Sequence, residues 1–427
     1  MRLLTQWFSR AADRLERVRF IEDALLTHRY ARYAFFRLRY FFGISVAEAV
    51  VHIIEFTILA FIFTRQTLIL AILMRVIGNL GSAWWWGVLE GMRGEIRALR
   101  REHKSYRIDT VASKWLCLAV MVAALLMAGS VGWIVFDTSR PMRGFTVFHL
   151  FVLAIAVQLA LSILSRTYHS IVYAVRRVYR PFLAILGVRM FAFVGTVAFW
   201  PLFGHWSFPL MLLATSGFAS GLTFHYVRRM YRTLGLKPLH IRFNGSSLRL
   251  LRLLARRETA LAGFAYVVLR LDTLIILLLF PRASSNPSTY NLFLFFYLIS
   301  PLVHSAYGWA HLFYFDLKRL ETGLLINLKR DFERFVRRLA WWVGSLFGVV
   351  ACLIGTLLVG RNLGMLYLLL MLFFLCRSRL AFSQIRFFAE HRYGTLIALG
   401  GALIVAVAYA QAALPNQAQR FGFYTVA

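Results

Sequence analysis

Three ionisable side chains lie within an apolar segment that is long enough to cross a membrane. Glu48, His52 and Glu55 fall between about Phe41 and Phe63 at positions i, i+4 and i+7, so on a helix they share one stripe. Carboxylates and an imidazole can carry protons or hold a cation, and lipid cannot solvate them. The stripe is therefore expected to face water or an arginine on a neighbouring helix.

Other polar groups at membrane depth predict a substrate site. An arginine guanidinium binds carboxylate or phosphate groups through two parallel hydrogen bonds, and the residues assigned to a substrate cavity are Arg75, Asn79, Arg189 and Arg270. The groups assigned to ion coupling are Glu48, His52, Glu55, Asp272 and His304. An alternative of equal weight is structural: the three carboxylates pair with the three arginines and hold helices together.

The elements that must position these residues are membrane-spanning helices. Of the 427 residues, 60% are hydrophobic and 16% aromatic, which exceeds the composition of soluble domains. The sequence therefore predicts an all-α, multi-pass membrane protein. Eleven apolar runs are long enough to span a bilayer, at 42–64, 66–88, 113–136, 146–165, 182–203, 206–225, 259–280, 290–312, 339–360, 363–380 and 394–413. A twelfth span is left open.

Basic residues are distributed unevenly between the connections. Of the 49 Lys and Arg residues, 39 fall in six long connections, at 1–41, 89–112, 166–181, 226–258, 313–338 and 377–393. The connections on the other side of the membrane hold six Lys and Arg residues. The positive-inside rule then predicts a cytoplasmic N-terminus and, with eleven spans, an external C-terminus. Because the charge is divided among spans, a nucleic-acid partner is not expected despite the net charge of +31.

Several classes of chemistry have no support in the sequence. The motifs GxxxxGK[ST], HExxH and GxSxG do not occur, so nucleotide hydrolysis, zinc proteolysis and serine-hydrolase activity are not indicated. Cys117, Cys352 and Cys376 lie in apolar runs without paired spacing, so neither a disulfide nor a metal site is predicted. We expect neither enzymatic activity nor a cofactor.

The order of the spans predicts two bundles. The predicted segments are an amphipathic cytoplasmic segment, a six-helix bundle, a basic linker, a five-helix bundle and a tail, at 1–41, 42–225, 226–258, 259–413 and 414–427. Both bundles would begin at the cytoplasmic face, as in transporters that are built from parallel repeats with the substrate between them. The amphipathic segment either rests on the membrane surface or docks a cytoplasmic partner.

The start of the second bundle carries a family resemblance. This region consists of the sequence RLDTLIILLLF at 270–280, a short Ser/Asn/Pro loop and the sequence TYNLFLFFY at 289–297. It resembles the seventh and eighth helices of polysaccharide flippases of the multidrug/oligosaccharidyl-lipid/polysaccharide (MOP) exporter superfamily. The resemblance implies a lipid-linked saccharide flippase, or an exporter of the Pel-polysaccharide type, that works by alternating access. It places Arg75, Arg189, Arg270 and Asp272 in the cavity.

These inferences together predict transport of an anionic lipid-linked or polymeric saccharide across a bacterial cytoplasmic membrane, coupled to an ion gradient. The expected partners are the saccharide, membrane lipids and other polysaccharide-assembly proteins. Two alternatives stay open. The chain could be a non-transporting membrane subunit of an envelope or polysaccharide assembly, or a cation-coupled drug antiporter of the same superfamily.

Overall fold

The structure is a computed structural model that describes residues 31–139, 145–175, 180–233, 250–322, 326–359 and 364–413. Within these ranges the regular elements are helical, which confirms the all-α prediction. Two short 3-10 turns, Ser105–Arg107 and Gly204–Trp206, join some of the helices. In chain order the α-helices are α1 Ala31–Ile62, α2 Arg65–Arg101, α3 Ile108–Thr138, α4 Val147–Val175, α5 Arg180–Phe203, α6 Ser207–Thr233, α7 Arg252–Ala255, α8 Arg257–Val268, α9 Leu271–Ala283, α10 Pro287–Thr322, α11 Ile326–Val359, α12 Gly364–Ala389 and α13 Tyr393–Ala413.

The helices have the length and composition of a multi-pass membrane protein. Six segments in the described part of the chain are long and apolar enough to cross a bilayer, and the bent pair α8 and α9 would make a seventh. Each of the eleven predicted spans coincides with a described helix or, at 259–280, with that bent pair. The apolar runs therefore located the helices correctly, and the number of crossings stays a prediction.

A continuous apolar segment folds back on itself at one 3-10 turn. The stretch Met190–Arg232 qualifies as one span of 43 residues, which exceeds the length that a bilayer needs. Within it α5 ends at Phe203, Gly204 adopts a φ of 50°, and α6 begins at Ser207. Because α5 and α6 then pack along each other, the segment provides two helices, as predicted.

Several helices continue beyond the predicted spans. The sequence predicted a span at 66–88, but α2 runs to Arg101, and α4 runs to Val175 instead of ending near 165. The predicted basic connections at 89–112 and 166–181 are therefore partly helical. Charged residues with a period of 3.6 keep a helix amphipathic without interrupting it, so the apolar run ended before the helix did.

The described chain forms two compact units. The middle unit comprises Glu55–Thr273, and the terminal unit comprises the described residues up to Ile54 together with those from Leu274 onward. In the middle unit α4 packs against α2, α3 and α6, and α2 also packs against α8. In the terminal unit α10, α11 and α12 pack against one another. The predicted division at 226–258 stays a prediction.

A buried apolar cluster fills the middle unit. It is built around the α2 residues Trp85, Leu89 and Met92, and α3, α4 and α6 contribute further aliphatic and aromatic side chains. The Trp85 indole Nε1 donates a hydrogen bond of 2.8 Å to the Thr167 hydroxyl. This bond satisfies the polar atom of a tryptophan that is fully buried, and it fixes α2 against α4.

Two long helices end in the same cap. After α2, the Lys104 amide donates to the Leu99 carbonyl oxygen at 2.8 Å and His103 adopts a φ of 56°. After α12, the Arg392 amide donates to the Phe387 carbonyl oxygen at 2.8 Å and His391 adopts a φ of 59°. Both are Schellman motifs in which histidine occupies the left-handed position that glycine usually takes.

Candidate functional site

A polar stripe runs along most of α2. Its residues follow the helical period and lie on one face: Arg75, Asn79, Ser82, Trp86, Glu90, Arg93 and Arg97. At 1.5 Å per residue the stripe is about 33 Å long, which is close to the thickness of a bilayer hydrocarbon core. This face is therefore too polar to be solvated by lipid along its whole length.

A second polar stripe, on α4, faces the first. Gln158, Ser162, Arg166 and Ser170 recur at intervals of four residues. The Ser82 and Ser162 hydroxyl groups hydrogen-bond at 2.8 Å, which pairs the two stripes near their middle. The nearest side chain to Gly78 is Gln158, whose Oε1 would lie 3.2 Å from an added Cβ.

The same pairing continues toward the C-terminal ends of both helices. The Arg166 guanidinium lies 5.8 Å from the Trp86 ring centroid, and Arg93 Nη1 donates to the Ser170 hydroxyl at 3.3 Å. Contacts along α2 therefore advance in the same direction as contacts along α4. The two helices run parallel, and their polar stripes share one interface, which we call the α2/α4 polar interface.

At the N-terminal end of α2, Arg75 forms an ion pair with Glu55 of α1. The Glu55 side chain is 1% exposed and that of Arg75 is 14% exposed. The Arg75 guanidinium also lies 5.2 Å from the Phe208 ring centroid. This contact answers why Glu55 is tolerated in an apolar helix, and it agrees with the structural alternative that the sequence left open.

At the C-terminal end, Arg93 is held by several partners although it is only 2% exposed. Its Nε donates to Glu90 Oε2 at 2.8 Å, and its Nη2 donates to the Trp86 carbonyl oxygen at 2.8 Å. Arg97 Nη1 donates to Glu90 Oε1 at 3.1 Å. Glu90 is thus shared between two arginines, so this part of the interface has one net positive charge.

Two further arginines lie near each other without a carboxylate. Arg166 Nε donates to the Ser162 hydroxyl at 3.1 Å, and the positive charge of Arg270 is close enough to act on Arg166. Both side chains are half-buried. Among the described residues no carboxylate lies within ion-pair distance of either guanidinium. The α2/α4 polar interface therefore has a net positive charge, to which the nearby charge of Arg270 adds.

Arg270 occupies a break between two helices. α8 ends at Val268, α9 begins at Leu271, and the helix direction changes by 71° across the break. Asp272 lies in the first turn of α9 and is buried, where a carboxylate is stabilised by the positive end of the helix. Interrupted helices of this kind carry the binding sites of many transporters.

His52 and Glu48 belong to the terminal unit. The His52 Nε2 donates to the Tyr297 carbonyl oxygen at 2.7 Å, and the two rings are 4.4 Å apart, a contact inside the terminal unit. Glu48 is exposed although it belongs to the same helical stripe as His52. The stripe of α1 therefore does not present all three ionisable groups to one environment.

The remaining predicted residues have varied surroundings. Asn79 is exposed on α2, and His304 is half-buried on α10, one turn after the buried Pro301. The side chain of Arg189 lies outside the described part of the structure. Sequence reasoning missed Arg93 and Arg166, because both were assigned to basic connections outside the membrane. Their spacing from Arg75 and Gln158 was the signal that could have identified them.

Comparisons with known proteins gave one structural likeness. No protein-family model matches the chain, and no curated protein matches it. A solved structure described as the outward-facing conformation of a multidrug resistance MATE family transporter of the MOP superfamily is similar to this chain, with a TM-score of 0.49 and 10% sequence identity. The likeness covers 92% of this chain and 91% of that one.

Proposed function

We propose that this protein transports an anionic lipid-linked or polymeric saccharide across the bacterial cytoplasmic membrane by alternating access. The observation that carries the proposal is the pair Arg166 and Arg270, two cations at membrane depth without a carboxylate among the described residues. Like charges at such a position are costly unless an anion joins them. A diphosphate or uronate group supplies that anion, and the two guanidinium groups bind it in bidentate fashion.

The side chains around the two arginines suit the hydroxyl groups and rings of a saccharide, in addition to its charge. Ser162 and Ser170 offer hydroxyl groups, Trp86 offers an aromatic face, and Gln158 Oε1 is buried without a hydrogen-bond donor among the described residues. Hydroxyl-rich ligands need such a mixture of donors, acceptors and flat apolar surfaces. Coupling to an ion gradient through Glu48, His52, Glu55, Asp272 and His304 is part of the proposal.

Reconstitution of the full chain in liposomes tests the proposal. The probe is a fluorescent polyprenyl diphosphate-linked oligosaccharide, and its movement between leaflets is measured by chemical quenching under an imposed pH gradient. We expect Arg166→Gln and Arg270→Gln to slow translocation about tenfold to a hundredfold, since each removes a charge-assisted contact. Arg257→Gln is the matched control, because this arginine is exposed in the first turn of α8.

Equal translocation by both variants and the wild type would overturn the role of the arginine pair. Equal rates for the diphosphate probe and for a neutral glycolipid without phosphate would overturn the anionic substrate class. Transport of an organic-cation dye in place of both lipids would favour the drug-antiporter alternative.

A second candidate function is a non-transporting subunit of a polysaccharide or envelope assembly. The observation that favours it is the buried ion pair between Glu55 of α1 and Arg75 of α2, because a charged pair between two helices can have a purely structural role. Deletion of residues 1–30 separates the two candidates, since it removes most of the predicted amphipathic segment and keeps every residue that the structure describes. A transporter that acts alone keeps its rate in liposomes, whereas a docking subunit loses its partner proteins on purification.

A further inference from the structure

A groove lies between three helices of the middle unit, away from the α2/α4 polar interface. Its volume is about 460 Å³, and it is partly open. Its apolar walls come from Leu116 and Val120 of α3, Leu164 of α4 and Phe224 of α6. These side chains offer an aliphatic and aromatic surface.

One end of the groove is polar and cationic. Tyr168, His225 and Arg228 complete its lining, and the charges of Arg228 and Arg232 both act on Tyr168. Arg228 is exposed, and no carboxylate lies within ion-pair distance of it among the described residues. Helix α6 contains no Asp or Glu. Asp109 of α3 accepts a hydrogen bond of 2.8 Å from Tyr231, which stacks on Tyr168, so two arginines and one carboxylate surround this end of the groove.

The polar end of the groove lies toward the C-terminal parts of α4 and α6. Tyr168 follows Leu164 on α4, and Arg228 follows Phe224 on α6, by four residues each, so the polar groups lie about 6 Å further along both helices than the apolar ones. The positive-inside rule predicts that the basic connections after these helices are cytoplasmic, and the cytoplasmic leaflet is the one rich in anionic lipid.

We propose that this groove is a binding site for one anionic phospholipid. The lipid phosphate contacts Arg228 and His225, and one acyl chain lies along Leu116, Val120, Leu164 and Phe224. Charge and polarity both change along the groove in the order that a phospholipid requires, from an anionic headgroup to an apolar chain. Basic pockets between membrane helices are known to hold such headgroups. The site is separate from the proposed transport function and does not depend on it.

Lipid binding to the full chain in detergent tests the proposal directly. Dioleoylphosphatidylglycerol and dioleoylphosphatidylcholine are titrated separately, and bound lipids are counted by native mass spectrometry. We expect a preference of about fivefold for the anionic lipid, the size of effect typical of one basic side chain near the membrane surface. Arg228→Gln is expected to abolish this preference without lowering the melting temperature, because the side chain is exposed.

The neighbouring arginine gives a matched control. Arg229 is exposed on the same helix but does not line the groove, so Arg229→Gln should retain the preference. Loss of the preference in both variants, or in neither, would overturn the assignment of the headgroup to Arg228. Leu164→Trp fills the apolar part and is expected to lower the binding of both lipids.

Competition with inorganic phosphate separates a phospholipid from a simple anion. Displacement of phosphatidylglycerol by millimolar phosphate would show that the site recognises an anion alone and would overturn the lipid assignment. Retention of the lipid under those conditions, together with loss of binding in Leu164→Trp, supports it.

Discussion

The ion pair between Arg75 and Glu55 joins α1 to α2 inside the middle unit. Because Glu55 is almost fully buried, the removal of Arg75 would take a cationic partner away from a carboxylate that water scarcely reaches. Breaking a buried pair from one side costs about 3–5 kcal/mol, whereas replacing both partners by uncharged groups of similar volume costs far less. The pair is therefore interdependent, and its contribution to stability can be separated from any role in transport.

We predict that Arg75→Ala lowers the free energy of unfolding by about 3–5 kcal/mol and that Glu55→Gln combined with Arg75→Gln restores most of it. The measurement is unfolding in mixed detergent micelles, followed by circular dichroism. Arg97→Ala is the control, because Arg97 is 30% exposed and pairs with a partly exposed Glu90; its cost should not exceed about 1 kcal/mol. Equal costs for Arg75→Ala and Arg97→Ala would contradict the prediction.

At the same scale, the sequence identified which charged residues lie in apolar helices better than it identified which of them contact one another. Arg75, Glu55, Arg270 and Asp272 stand out because charge is rare in apolar runs. Which of them meet depends on the rotation of each helix and on neighbours far away along the chain. Arg166 was missed because basic residues at the end of a span resemble a solvated rim until the position of α2 is known. The structure leaves the roles assigned to these residues as predictions.

Among the elements, α2 makes a close contact with α8 at Gly87. A Cβ added there would lie 2.5 Å from the Ala262 carbonyl oxygen and 2.9 Å from Gly263 Cα of α8. Without a hydrophobic driving force in lipid, membrane helices associate through small residues that allow such close approach. The contact between α2 and α8 therefore depends on the absence of a side chain at Gly87.

We predict that Gly87→Ala destabilises the middle unit by about 1–3 kcal/mol, as overpacking usually does. Gly94 is on the same helix, and an added Cβ there would meet nothing within 4 Å. Gly94→Ala should therefore be neutral or stabilising by up to about 1 kcal/mol, through helix propensity alone. Thermal unfolding of both variants in one detergent measures the difference, and a stabilising Gly87→Ala would show that α2 and α8 do not pack this closely.

Helix positions were more predictable than helix ends. Apolar length located the helices correctly, including the separation of α5 from α6, because Gly204, His205 and the following residues interrupt the run. The ends of α2 and α4 were placed too early, since a hydropathy criterion stops where polar stripes begin. The break at Arg270 had no local signal such as proline or paired glycines, so the sequence predicted one continuous span at 259–280.

For the whole molecule, the distribution of basic residues predicts which helix ends face the cytoplasm and which face outward. α2 and α4 run parallel, as the order of their contacts requires, so α3 returns between them. If basic connections are cytoplasmic, the loops at His103 and His391 face the cytoplasm, and the loops at Ser139 and Ser284 face outward. All four residues lie at helix ends in the described part of the chain.

We predict that single cysteines at Ser139 and Ser284 react with a membrane-impermeant maleimide in intact cells, and that those at His103 and His391 react only after permeabilisation. The background is a chain in which Cys117, Cys352 and Cys376 are replaced by serine or alanine. Reversed labelling at all four positions would show that the positive-inside assignment is wrong. Ser284 is the most informative position, because it follows the bent pair α8 and α9. External labelling there means that the pair crosses as one broken span, whereas protection at Ser284 with normal labelling at Ser139 would make the pair a re-entrant loop and reduce the number of crossings.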